Sequence, residues 1–79
     1  MQIRVLFFGA TADEIGKRSL EFPIEDSASA RIAFDEILKS FPKLNSHNLL
    51  FAVNQEYVTE DRVLQDGDEL AIFTAVSGG

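Results

Sequence analysis

Apolar residues recur along the chain in short runs whose spacing changes from element to element. In residues 3–8 only Arg4 is polar. Ile3, Val5 and Phe7 fall on one face and Leu6 and Phe8 on the other, the two-residue period of a strand. Both faces are apolar near the run's end at Gly9. The strand is therefore central and covered on both sides, or one of its faces is covered by a partner. Residues 10–15, closed by Gly16, read as one helical turn or a structured loop. In residues 19–24, Leu20, Phe22 and Ile24 alternate with Ser19 and Glu21, predicting a second strand. Pro23 has no N–H to donate and confines that strand to a sheet edge. The two strands are expected to pair as a hairpin with a long connection.

From residue 28 the period lengthens. Ala30, Phe34, Ile37, Leu38 and Phe41 fall at i, i+4, i+7, i+8 and i+11, a single apolar stripe that predicts an amphipathic helix over residues 28–41. Ser27 is placed to cap it, and Pro42 ends it. Residues 43–48 read as a polar connection and 49–54 as a third strand. Gln55-Glu56 is expected to turn into a short strand at Tyr57-Val58. Residues 59–65 have no period, with Val63 and Leu64 as core anchors. Asp66-Gly67-Asp68 predicts a tight turn. Residues 69–73 form the last strand, with Leu70 and Ile72 on one face and Ala71 and Phe73 on the other.

The order is β-β-α-β-β-β with one main helix, an α+β architecture in which the helix packs on one face of a mixed sheet. The long crossover through the helix allows the first and last strands to lie parallel. This is the β-grasp, or ubiquitin-like, arrangement. Its strand order comes from analogy with that fold, since spacing alone does not set it. Residues 1–73 form the domain and 74–79 a flexible tail. If the helix covers Val5, Phe7, Leu70 and Ile72, then Leu6, Phe8, Ala71 and Phe73 face outward as an apolar patch. Such a patch marks an interface, unless residues 59–65 fold over it.

Composition narrows the function. The chain has 79 residues and no cysteine, so one domain is expected, with neither a disulfide framework nor a thiolate metal site. A domain of this size buries only about 60–65% of the surface its unfolded chain would expose, which leaves a thin core and makes a frequent partner unsurprising. The net charge of −6 argues against nucleic acid and against an anionic membrane. It suits a partner with a basic face, and it also serves solubility alone. The start Met1-Gln2-Ile3-Arg4 has no signal-peptide pattern and no apolar run is long enough to span a bilayer, so a cytoplasmic location is expected.

Few residues suit catalysis by the chain itself. His47, the one histidine, lies in a polar loop and reads as solvated. Ser77 has no base within sequence reach. The acidic residues lack metal-loop spacing, and the glycines lack the spacing of a phosphate loop. No metal or bound cofactor is expected. The end of the chain, Val76-Ser77-Gly78-Gly79, is different. Two glycines remove every side chain from the last peptide units and open backbone angles closed to other residues. Such a tail can enter a partner's tunnel and deliver the Gly79 carboxylate to a site built elsewhere. A carboxylate is a poor electrophile, but adenylation gives it a leaving group. A sulfur donor that displaces AMP leaves a thiocarboxylate, a nucleophile on a narrow arm. Ordering the tail costs about 1–2 kcal/mol per residue, which a docked apolar patch would offset.

These residues resemble the small subunits of molybdopterin synthase, the MoaD-type sulfur carriers, over nearly the whole chain. The resemblance is densest at Val5-Leu6-Phe7-Phe8, Ala52-Val53-Asn54-Gln55 and Leu64 with Asp66-Gly67-Asp68-Glu69, and closes with Ala71, Phe73 and Val76-Ser77-Gly78-Gly79. The Val-Asn-Gln and Asp-Gly-Asp-Glu pieces are common to related sulfur carriers; the Phe pair and the Val-Ser-Gly-Gly end point to the molybdopterin branch. The resemblance implies a non-catalytic donor subunit. A large subunit would hold the catalytic site and receive the tail at Val76, Ser77 and Gly78. An adenylating enzyme of the ubiquitin-activating type would charge Gly79 with ATP, a sulfur donor would convert it to the thiocarboxylate, and the sulfur would pass to cyclic pyranopterin monophosphate. Phe8 and Phe73 match the family's apolar docking positions. The sequence departs from the family at Thr74-Ala75, where prolines are frequent, and at Ala12-Asp13, where an Arg is frequent. Carriers for the thiazole of thiamine share the fold and terminus, a lysine-linked protein modifier could use the same activated end, and a plain binding module would use the patch alone.

Overall fold

Alternate residues of the first strand point into the interior, and the rest of the sheet is built on that register. The computed structural model describes residues 1–75. In β1 (Gln2–Phe7), Ile3, Val5 and Phe7 are sealed inside while Gln2 and Arg4 reach solvent. Gly9, at φ 58° and ψ −129°, turns the chain into α1 (Ala10–Ile15), and Gly16 closes that helix in the left-handed conformation. Of the two readings of residues 10–15, the helical one is realised. β2 (Ser19–Pro23) runs antiparallel to β1, with Leu20 opposite Val5, and lies at the sheet edge.

The main helix, α2 (Ala30–Ser40), starts later than its apolar stripe suggests. Ser29, not Ser27, is the cap, its hydroxyl accepting the Ile32 N–H at 3.2 Å. Ser27 takes a positive φ of 66°, and the Ala28 carbonyl is engaged by the Leu64 N–H at 2.9 Å. The Arg62 and Glu60 carbonyls accept the N–H groups of Ala30 and Arg31 at 2.8 and 2.9 Å. Donors left free at a helix start need such partners. Residues 59–65 supply them, and a tertiary contact thus sets the helix boundary. Ala30, Phe34 and Ile37 are buried as the stripe predicts, and Ala33 joins them. Pro42 opens a short 3-10 helix, Pro42–Ser46, in place of the expected polar connection. Its Leu44 is fully buried.

β3 (Leu49–Val53) and β4 (Glu69–Thr74) complete a four-stranded sheet in the order β2-β1-β4-β3. β1 and β4 are parallel, with Val5 opposite Leu70 and Phe7 opposite Ile72, as the β-grasp reading requires. The turn after β3 is Asn54-Gln55, both at positive φ, and it returns only one bridge, Glu56 to Val53. Tyr57 and Val58 form no strand. Val58 packs toward the core, and the chain leaves the β3 edge there to reach the helix start. Leu64 anchors the core as expected, but Val63 is 54% exposed. Neighbours in an extended segment point opposite ways, and Leu64 takes the inward position.

Residues 53–55 and residues 66–69 meet in space. The Asp68 carboxylate accepts the Asn54 amide at 3.0 Å and the Gln65 N–H at 2.8 Å, while the Asn54 side-chain oxygen accepts the Glu69 N–H at 3.0 Å. Asp66 accepts the Gln2 N–H at 2.9 Å, and Gly67 supplies a φ of 86°. This network fixes the entry of β4 beside β1.

Candidate functional site

The helix covers one face of the sheet, and the opposite face carries the site. Alternation along β1 and β4 turns Leu6, Phe8, Ala71 and Phe73 outward, and the structure brings all four around one shallow depression of about 400 Å³. Leu6 lies opposite Ala71 across the parallel pair. Phe8 is 51% exposed at the end of β1. The loop of residues 59–65 does not fold over this face, because its backbone is engaged at the start of α2.

Three further residues belong to the surface. Leu50 of β3 lies opposite Phe73 and is 41% exposed, and Ala52 lies opposite Ala71. The two-residue alternation that turns Val53 into the core turns Leu50 and Ala52 toward the outer face. Tyr57 stands against Phe73 in an edge-to-face arrangement, ring centroids 6.0 Å apart. No spacing in the sequence marked that contact, since it depends on the turn at Asn54-Gln55. Tyr57 is 76% exposed, so it walls the depression without filling it. The far end of the face is polar, with Arg4 paired to Glu21 at 3.4 Å. The apolar surface thus has a defined border.

The depression lies beside the end of β4. That strand continues through Thr74, one residue beyond its expected end, and the Ala75 N–H donates to the Asn48 carbonyl at 2.8 Å. Phe73 is thus the penultimate residue of β4. Val76, Ser77, Gly78 and Gly79 lie outside the described residues. His47 is half-buried between the 3-10 segment and α1, with Nε2 3.6 Å from the Glu14 carboxylate, and takes no part in the outer face. Among the described residues no group of His, Asp and Glu side chains is arranged to hold a metal ion.

A family model described as the ThiS family matches residues 5–79. The chain belongs to the ThiS family. Its relatives within that family include the molybdopterin synthase sulfur carrier subunit of Chlamydomonas reinhardtii, 37% identical with both chains fully covered. The human protein of the same description is 36% identical, with 99% of this chain and 94% of that one covered. The MoaD-type resemblance read from the residues is therefore a true kinship. Among solved structures, a putative molybdopterin converting factor subunit 1 from Pyrococcus furiosus superposes with a TM-score of 0.87 at 26% identity, covering 96% and 99% of the two chains. SAMP1 from Haloferax volcanii superposes with a TM-score of 0.86 at 25% identity and full coverage of both. This ThiS-family chain thus has the ubiquitin-like fold in its β-grasp form.

Proposed function

We propose that this chain is the sulfur carrier subunit of a molybdopterin synthase, a donor whose reacting group is the Gly79 carboxylate. The placement of the apolar outer face at the end of β4 carries this reading. A partner that grips Phe8, Phe73 and Tyr57 receives the following residues at a fixed starting point, and a tail ending in two glycines is narrow enough to enter it. The large subunit of the synthase is that partner. It supplies the catalytic site, and this chain binds no cofactor of its own.

The chemistry runs in three balanced steps. The Gly79 carboxylate attacks the α-phosphate of ATP on a ubiquitin-activating-type enzyme, giving an acyl adenylate and pyrophosphate. Sulfide, supplied by a donor at that oxidation level, attacks the acyl carbon, AMP leaves, a proton is lost, and the terminus becomes a thiocarboxylate. Its sulfur then attacks a carbon of cyclic pyranopterin monophosphate, forming a C–S bond as a C–O bond at that carbon breaks and the oxygen leaves with the electron pair. Water then cleaves the acyl C–S bond, returning the Gly79 carboxylate and leaving a thiolate on the product.

The test is the intact mass of the chain after incubation with ATP, its cognate adenylating enzyme and a sulfide source. A rise equal to exchange of one oxygen for one sulfur, localised to Gly79, is the expected result. An unchanged mass with an enzyme that charges another carrier would overturn the reading. Likeness to SAMP1, whose name denotes a small archaeal modifier protein, favours a second reading in which the activated terminus is passed to lysines. Isopeptide-linked Gly79 in a lysate digest would establish that use.

A further inference from the structure

Thr11 is the one buried polar residue among those described, with 0% exposure in the first turn of α1. An apolar side chain would fill the same space, and a buried hydroxyl is unfavourable unless bonded. This one is bonded on every side. Its oxygen accepts the Phe8 N–H at 2.9 Å, and it stands 2.7 Å from the Phe8 carbonyl and 3.0 Å from the Ile72 carbonyl. A hydroxyl has one proton to share between those two acceptors. The Phe8 N–H also reaches the Ile72 carbonyl, at 3.1 Å. The paired residues of β1 and β4 end at Phe7 and Ile72. That backbone bond carries the link between the strands to Phe8, and the hydroxyl braces it by engaging the same N–H and the same carbonyl. Gly9 makes this possible, because its φ of 58° with ψ of −129° turns the chain back and sets Thr11 beneath the strand ends.

Ile72 immediately precedes Phe73, and the chain leaves the sheet after Thr74. One buried hydroxyl thus braces the junction between Phe8 and the β4 residue next to Phe73. We propose that Thr11 is a positioning residue that holds the docking aromatic Phe8 in register with the end of β4, so that docking on the outer face sets where the tail is delivered. This rests on the docking role proposed above. A partner that binds Phe8 and Phe73 while taking the tail into a separate site needs a fixed span between them. Slack there weakens binding, because ordering must then occur on association, and it misplaces the reacting end.

Three variants of the full chain test this with its large subunit. Thr11→Val keeps the shape without the hydroxyl, Thr11→Ser keeps the hydroxyl, and Phe73→Ala reports on docking alone. Thr11→Val is expected to raise Kd by about fivefold or more, the scale of one lost buried hydrogen bond. It is also expected to slow single-turnover sulfur transfer at saturating partner, while Thr11→Ser stays near the native chain in both. If Phe73→Ala weakens binding and Thr11→Val changes neither quantity, the positioning role is overturned and the docking role stands. If Phe73→Ala itself binds like the native chain, the docking role fails and this inference fails with it. Thr11→Ser behaving as poorly as Thr11→Val would show that a hydroxyl at this position does not hold the register and would overturn its role. A measurement on the native chain guards against a Thr11→Val variant that does not fold. The Thr11 hydroxyl proton is expected to exchange with water slowly enough to be observed by NMR; a hydroxyl that exchanges as freely as that of a surface threonine would overturn the proposal.

Discussion

Phe73 gathers more of the site than any other residue. It lies opposite Leu50, against the edge of Tyr57, and at the strand end from which the tail departs. Aromatic residues at the centre of an interface carry much of its binding energy, so Phe73→Ala is expected to weaken large-subunit binding by more than about 1 kcal/mol. Titration calorimetry with the purified subunit measures this, and an unchanged Kd would move the interface elsewhere. Gly79 is expected to act through chemistry alone. Its deletion should abolish charging with sulfur and leave the melting temperature unaltered, and charging that persists would remove Gly79 from the mechanism. Gly9 makes a purely conformational contribution. A methyl group at Gly9 would meet nothing within 4 Å, yet its φ of 58° disfavours a side chain. Gly9→Ala is therefore expected to destabilise the fold by about 1–3 kcal/mol through backbone strain, as urea unfolding would show.

At the scale of elements, the start of α2 and the segment that supports it form one unit. Ser29 caps the helix with its side chain, and residues 60 and 62 cap it with their carbonyls. Ser29→Ala is expected to lower stability by about 1 kcal/mol. Ser27→Ala should change it by no more than about 0.5 kcal/mol, since Ser27 is exposed and bonds nothing in the helix. Chemical denaturation of the pair separates the two serines directly. The same segment sorts its neighbours Val63 and Leu64. Leu64 is 2% exposed and Val63 54%, so Leu64→Ala should cost about 2–5 kcal/mol and Val63→Ala far less. Equal losses in the two variants would mean that the segment packs differently against the helix.

At the scale of the whole molecule, one helix on one face of a four-stranded sheet leaves the second face uncovered among the described residues. That face is apolar at the end where the tail departs and polar at the other, which gives a docked partner one orientation. A net charge of −6 would add long-range attraction to a basic partner surface. Association should slow as salt is raised while dissociation changes little. Stopped-flow rates across a range of ionic strength check this, and a salt-independent on-rate would remove charge from the encounter.

The identity of each main element was legible in the chain because local chemistry decides it. The two-residue period of residues 3–8, the 3.6-residue stripe from Ala30 to Phe41, Pro23 at an edge and Pro42 as a stop each act within a few residues of themselves. The outward set Leu6, Phe8, Ala71 and Phe73 followed from the same parity, once one helix had to cover one face. Boundaries and pairwise contacts were decided only in three dimensions. Ser29 replaces Ser27 as the cap because carbonyls more than 28 residues away hold the first helical N–H groups. Tyr57 leaves the expected strand and stands against Phe73 because the Asn54-Gln55 turn carries it there. Thr11 carries no signal in the sequence at all, since a threonine in a short helix is ordinary until two strand ends converge on its hydroxyl. Periodicity reports which way a residue faces, whereas a hydrogen bond between segments distant in the chain exists only after both have been folded into place.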